Sequence, residues 1–464
     1  MIRKSISKFV AICAVLSLLA VPSFGARGKA DFTRYVALGD SFGAGFSNGS
    51  LVDAHQVWSY PAVIARQARS KDFQQPLVSQ PGIPPELALL SLSPLVIGPK
   101  ATTNGSPTNL NLPRPYNNLS IPGARAVDLT TLTGKQPVTG TATSFAQFIL
   151  RGLGTPVDQA LAQSPTFVSI FIGGNDVLGA VLGGTPALLT PLDDFKTAYT
   201  AALDRLVAGA PNAGMVTAGV PGVTFLPYAN TVPPVLVNPA TSQPVLGPDG
   251  KPIFLVADLG GGNFGQLPPG SLVLLPAISK ISTGFGIPAA LKPNFPNFPD
   301  VGKPLADTDV LTPTEIAVIE TRAADVNAFI RSAAAARDIP FTDLAPLLAN
   351  LKNGLNEGGV ILNTSFLTGG AFGYDGFHPT DIGYTLIANE FIKTINNAYG
   401  TKIPQASLLP FFANNAPEDS AQQIPQDGMT FSFSLLTWES IYGISGADRT
   451  VEAPVVSKPA PNTM

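Results

Sequence analysis

The chain has 464 residues, enough for one large domain with insertions or for two domains. Apolar residues make up 45%, so a sizeable core can be buried, whereas only 13% are charged and the net charge is -3, which gives no electrostatic case for nucleic acid. Glycine and proline number 45 each, which implies many turns and long loops.

Residues 1–25 read as a secretory leader. Arg3, Lys4 and Lys8 form its basic end, residues 10–21 its apolar run, and Ser23-Phe24-Gly25 a small-residue cleavage site before Ala26. The other reading, an uncleaved anchor, is disfavoured because the run is short for a membrane span. Cys13, the only cysteine, lies inside the leader, so the mature chain does not rely on disulfides.

Residues 32–38 predict the first strand, which stops in Gly39-Asp40-Ser41. Open α/β sheets place their ligands at such carboxyl ends, so Ser41 is a candidate nucleophile. A serine hydroxyl needs a base, and the chain has two histidines, His55 and His378. A Gly-rich loop over 41–50 leads to a helix over 58–68. His55 reads as an exposed loop histidine. Residues 73–78 predict a second strand, and 80–115, rich in Pro, Ser, Thr and Asn, a long loop that serves as a lid or lines an acyl groove.

Residues 116–121 lead to Gly123, and 124–132 predict a helix. The run 166–172 is the clearest buried strand and ends in Gly173-Gly174-Asn175-Asp176. A helix is expected from Thr190-Pro191, then a strand over 214–220. Residues 224–308 predict a β-rich insertion near the mouth of the site. Thr312 and Glu315 form a capping box that opens a helix. Residues 339–344 predict the last core strand, and Ile387, Phe391 and Ile395 mark a closing helix. Residues 403–464 read as an extension with a disordered end, weakly alternating over 429–436. Strands alternating with helices imply a parallel sheet covered on both faces.

Asp375 precedes His378 by three residues, with Gly376 between them. A tight turn can fold that carboxylate onto one ring nitrogen and leave the other free for Ser41. Four stretches, Gly39-Asp40-Ser41, Gly123, Gly173-Gly174-Asn175-Asp176 and Asp375-Gly376-Phe377-His378, occur in order, and together they resemble the SGNH (GDSL) hydrolase family of esterases and lipases. The resemblance spans roughly residues 31–400. It implies a three-layer α/β/α flavodoxin-like sheet, with residues 26–402 as the hydrolase domain. It also implies a triad of Ser41, His378 and Asp375, and an oxyanion hole made by the N–H groups of Ser41 and Gly123 with the Asn175 amide. Asp40 receives no catalytic role, and Asp176 reads as a brace of its loop. This scheme needs neither metal nor cofactor.

The expected activity is a secreted or periplasmic serine hydrolase acting on carboxylic esters of lipids or other acyl compounds, with peripheral contact to a lipid surface. Two alternatives stay open: a carbohydrate O-acetyl esterase, and a non-catalytic secreted binding protein on the same fold.

Overall fold

The computed structural model describes residues 25–92, 95–222, 225–238, 243–412 and 431–433. The leader before Gly25 and most of the extension after residue 412 lie outside them.

The centre is a parallel sheet of β1 (Tyr35–Gly39), β4 (Phe167–Phe171), β5 (Gly214–Ala218) and β12 (Phe341–Thr342), in that spatial order. Tyr35 pairs with Phe167, Phe167 with Gly214, and Thr217 with Phe341. Asn118 bridges to Ala37 on the other side of β1, so 118–121 acts as a fragmentary fifth strand. Every residue of β1, β4 and β5 is buried. Since successive side chains point to opposite faces, both faces are covered, which is why these strands are apolar except for Ser169 and Thr217, whose hydroxyls pair with those of Tyr35 and Tyr199.

Helices supply the cover. Between β1 and β4 the chain forms α1 (Ser41–Ala44), α2 (Asp53–Gln56), α3 (Tyr60–Gln67), the antiparallel strands β2 (Leu87–Leu92) and β3 (Leu95–Pro99), then α4 (Asp128–Thr131), α5 (Thr141–Leu150) and α6 (Pro156–Ala162). Helices α7 (Gly174–Leu182) and α8 (Leu192–Gly209) join β4 to β5. After β5 come α9 (Pro227–Asn230) and a run of short pieces: β6 (Val237–Asn238), β7 (Gln243–Pro244), β8 (Val256–Asp258), β9 (Phe264–Gln266), β10 (Leu272–Val273), α10 (Ile278–Ile281) and β11 (Val310–Leu311). The long helix α11 (Pro313–Ala335) returns the chain to β12. It is followed by α12 (Ala345–Asn353), the hairpin β13 (Leu355–Glu357) and β14 (Val360–Leu362), α13 (Asp381–Tyr399) and α14 (Leu409–Phe412). Helix α3 packs on α13, and α8 packs on both α6 and α11. Tyr60 of α3 stacks on Phe391 of α13 at 4.6 Å and meets Phe171 of β4 edge-on, which locks that layer to the sheet. The architecture is therefore α/β, a central parallel sheet flanked by helices, with several small extra sheets.

The capping box forms as expected: the Thr312 N–H donates to Glu315 Oε2 at 2.8 Å, and Ile319, Ala323, Val326 and Ile330 are buried. The stretch after β5 holds three two-stranded antiparallel pairs, one of them closed by β11 beyond residue 308, among loops and short helical turns. Three expectations change. The stretch 73–78 is no strand, because side-chain amides take the place of a ladder. Asn117 Oδ1 accepts from Gln74 N, Asn109 Oδ1 from Leu77 N and Gln56 Oε1 from Val78 N. The expected loop over 80–115 carries the β2–β3 pair, in which Leu87 and Ile97 are buried, and Phe431–Phe433 (β15) adds to β3 in parallel. The helix expected over 124–132 shrinks to α4, since Asp128 Oδ2 accepts from Arg125 N and Asp176 Oδ2 from Ala126 N.

Candidate active site

Three strand ends converge at the carboxyl edge of the sheet. At the first, β1 stops at Gly39 and Asp40 caps α1, with Oδ1 accepting from Phe42 N at 3.0 Å. The Gly43 and Ala44 N–H groups donate to the Asp40 carbonyl, which leaves the Ser41 N–H as the first-turn amide that Asp40 does not take up. Ser41 is the first residue of α1 and is 5% exposed.

At the second end, Ile121 N donates to the Gly39 carbonyl at 3.0 Å, so Gly123 emerges beside the Ser41 turn. Gly123 has φ +81, and a Cβ there would lie 3.0 Å from Thr141 Cβ and 3.1 Å from Ala142 N of α5. Both the left-handed backbone and the close approach of α5 call for glycine. At the third end, Asn175 sits in the first turn of α7, and its Nδ2 donates to the Ala124 carbonyl at 2.9 Å. The amide carries two hydrogens, so this bond leaves one unused. Asp176 is buried and braces the same junction through Ala126 N, as expected.

The fourth piece is the turn before α13. Asp375 Oδ1 accepts from Phe377 N at 3.1 Å and His378 N at 2.9 Å, and its Oδ2 accepts from Gly49 N at 2.8 Å and His378 Nδ1 at 2.8 Å. Burial works against the Asp375 charge, but His378 and these amides more than offset it and hold its pKa below the usual carboxylate value. An ionised carboxylate only accepts, so the neutral His378 ring carries its hydrogen on Nδ1. Nε2 is buried and has no hydrogen-bond partner among the described residues, so the Ser41 hydroxyl is not bonded to it in this conformation. The ring packs against Phe377 at 4.1 Å, Phe46 at 4.7 Å and Phe42 at 5.8 Å, centroid to centroid. Phe42 lies in α1 next to Ser41 and Phe46 two residues past its end, which puts the imidazole beside the Ser41 turn. From the other flank, the Tyr228 N–H of α9 donates to the Gly376 carbonyl at 2.8 Å, and the Tyr228 ring meets Phe377 edge-on.

The structure thus brings Ser41, Gly123, Asn175, Asp375 and His378 together. Two contributors had no separate signal in the sequence. The Gly49 N–H is one, although Asn48-Gly49 could have been marked as a turn. Tyr384 of α13 is the other: its hydroxyl donates to the Phe46 carbonyl at 2.6 Å and lies 3.3 Å from that of Ser41. The reading of His55 as an exposed loop histidine is overturned. His55 is 2% exposed, with Nδ1 at 2.8 Å from Asp381 Oδ1 and Nε2 at 2.6 Å from Glu86 Oε1. Its partners are distant in sequence and close only in the fold. Among the described residues no group of three or more His, Cys, Asp or Glu side chains is arranged to hold a metal ion, and no helix is long and apolar enough to cross a membrane.

Two buried carboxyls under the site, together with His55, set the pH response of the fold. Burial would lower the His55 pKa, but Asp381 and Glu86 raise it to about 10, so its stabilisation falls as pH rises above about 6.5. Burial, with the nearby Asp176 charge, pushes Asp40 up to about 7 despite its bond from Phe42 N, and burial pushes Asp176 up to about 6 despite Ala126 N and Arg125. Both lie above the unfolded value of about 3.9, so from about pH 4 to 7 the folded chain binds more protons than the unfolded one. The stabilisation is fully present below about pH 4 and is lost as pH rises through 6 and 7. Asp375 and Glu86, shifted the other way, act only at lower pH. The expected result is a higher Tm at pH 5 than at pH 8 in scanning calorimetry; a Tm that rises over that interval would contradict these assignments.

The model of the GDSL-like lipase/acylhydrolase family matches residues 35–391. Similar solved structures include an extracellular lipase from Streptomyces rimosus, 16% identical, covering 78% of this chain and 98% of that one, with a TM-score of 0.32. A phospholipase A1 from Streptomyces albidoflavus NA297 is 15% identical, covering 80% of this chain and 100% of that one, with a TM-score of 0.32. A family 3 carbohydrate esterase from Clostridium thermocellum is 12% identical, covering 79% of this chain and 96% of that one, with a TM-score of 0.31. No curated protein matches the chain. With the family model spanning the sheet and all four converging segments, the chain belongs to the GDSL-like lipase/acylhydrolase family.

Proposed function

We propose that this chain is an exported serine esterase that cleaves carboxylic esters of lipids or other acyl compounds through an acyl-enzyme. Ser41 Oγ attacks the ester carbonyl while His378 Nε2 takes its proton. The Ser41 and Gly123 N–H groups and the free hydrogen of the Asn175 amide stabilise the oxyanion. His378 then protonates the departing alcohol, and a water activated by the same nitrogen releases the acid and restores Ser41. Asp375 holds the ring and stabilises the imidazolium. The observation that carries this reading is His378 itself: one ring nitrogen is fixed by Asp375, and the other is bare and walled in by Phe42 and Phe46, which follow Ser41 in the chain.

The lipid reading of the acyl part rests on the low charge of the chain, 13% Asp, Glu, Lys and Arg, and on the long 80–115 segment. The leader at residues 1–25 is the basis for export.

The test is fluorophosphonate labelling of the mature protein, run beside a series of nitrophenyl esters from acetate to palmitate. The expected result is a labelled protein whose kcat/KM holds or rises as the acyl chain extends beyond acetate. Hydrolysis confined to acetate would move the assignment to a carbohydrate O-acetyl esterase. A folded protein that neither labels nor cleaves would leave a binding function.

A further inference from the structure

A second charged cluster lies under the turn that carries His378. His55, Glu86 and Asp381 are each 3% exposed or less. Both ring nitrogens of His55 are at hydrogen-bond distance from carboxylate oxygens, Asp381 Oδ1 on one side and Glu86 Oε1 on the other. Ionised carboxylates have no hydrogen to give, so both nitrogens must carry one, and the ring is an imidazolium. Lys100 Nζ, 2.9 Å from Glu86 Oε2, makes the set two anions and two cations. A buried ionic group of this kind is tolerated only while it stays matched.

The cluster is wired to both ends of one segment. Glu86 Oε1 also accepts from Asn48 Nδ2 at 2.9 Å, and Asn48 Oδ1 accepts from Tyr374 N at 2.9 Å. The next residue, Gly49, gives its N–H to Asp375 Oδ2. At the other end Asp381 is the first residue of α13, directly after the Thr380 cap. We propose that His55 is a positioning residue for the Asp375–His378 pair: its imidazolium ties Tyr374, through Glu86 and Asn48, and Asp381 to one fixed point. The proposal rests on the reading of His378 as the base that serves Ser41.

The cluster also sits within the electrostatic reach of the site. Burial raises the Tyr384 hydroxyl well above its usual pKa, and the Asp375, Asp40 and Asp381 charges add to that effect. For His55 the facing charged groups are Asp381 from α13 and Glu86 from the segment before β2, with Lys100 behind Glu86 and Asp53 on its own helix. Removing the imidazolium frees both ends of the 374–381 segment. It also takes one positive charge out of the cluster that lies under the His378 turn.

The experiment uses the full mature chain. With only two histidines in the sequence, ¹⁵N-histidine spectra resolve two rings, and a His55→Gln sample assigns them. In the wild type the His55 ring should stay doubly protonated from pH 5 to 9. In His55→Gln, kcat for nitrophenyl butyrate should fall about 10- to 100-fold with KM within about twofold, as expected when reacting groups drift by about an ångström. The acid limb of kcat/KM should move to higher pH. Asn48→Gly, which cuts the Tyr374 link and leaves His55 in place, should lower kcat in the same way, and it serves if His55→Gln does not fold. Lys280→Met, which breaks the buried Lys280–Asp309 pair in the stretch after β5, should lower Tm without moving kcat or the acid limb. A neutral His55 ring at pH 7, or a folded His55→Gln with wild-type kcat and acid limb, would overturn the proposal. A wild type that fluorophosphonate does not label would instead remove the esterase reading, and the positioning role with it, while the imidazolium signal stood.

Discussion

Ser41→Ala is expected to lower kcat for ester hydrolysis by about 10⁴- to 10⁶-fold, the range seen when a serine hydrolase loses its nucleophile. The same change should leave Tm almost unmoved, and the reason is local. The cap of α1 is Asp40, whose carboxylate takes the Phe42 N–H, so the Ser41 side chain is not what starts the helix. Alanine is also a better helix former than serine. Activity and stability are therefore separable at this position. Burst kinetics with nitrophenyl butyrate, with calorimetry on the same sample, measure both. A variant that keeps more than a few per cent of the wild-type rate would show that Ser41 is not the attacking group.

Gly123→Ala is expected to cost on both axes. Alanine at φ +81 carries a backbone penalty of about 1–2 kcal/mol, and its Cβ would press on Thr141 Cβ and Ala142 N. The loop or α5 must give, and the Gly123 N–H turns away from where the oxyanion forms. Loss of one such donor costs about 100- to 1000-fold in kcat. KM should change little, because the donor acts on charge that develops only in the transition state. Gly134→Ala separates the two effects. That glycine has φ +76, and a Cβ on it would strike the Ala146 carbonyl on α5, well away from Ser41 in the chain. Its stability loss should be at least as large, since that contact would be closer than either one at Gly123, and its kcat near wild type. Equal kcat losses in the two variants would mean that α5 packing, not the Gly123 donor, sets the rate.

The core sheet and the meeting of the site segments were legible in the sequence because their signals are local. A strand buried on both faces is an almost continuous apolar run, as at Phe167–Phe171, where Ser169 is the one polar residue, and its end is marked by glycine. The Asp375–His378 contact needs only a three-residue turn, and the structure closes it at 2.8 Å. What escaped depends on partners far along the chain. His55 meets Glu86 and Asp381 only after α3 and α13 have packed, and the carboxylate nearest it in sequence, Asp53, is not the partner of either ring nitrogen. The stretch 73–78 has the composition of a strand, but its backbone is satisfied by Asn117, Asn109 and Gln56 side chains, which no period reveals. The β2–β3 pair escaped because two serines and a proline, Ser91, Ser93 and Pro94, interrupt its apolar run.

The order in which the chain supplies the site has a consequence for biosynthesis. Ser41 leaves the ribosome early, with Gly123 and Asn175 after it, but His378 and the helix that seats it come near the end of the core. A nascent chain therefore carries Ser41 through most of its synthesis without His378, and the Tyr384 hydroxyl that grips the Phe46 carbonyl is also missing. The segments of the site can meet only once α13 has been made and packs on α3.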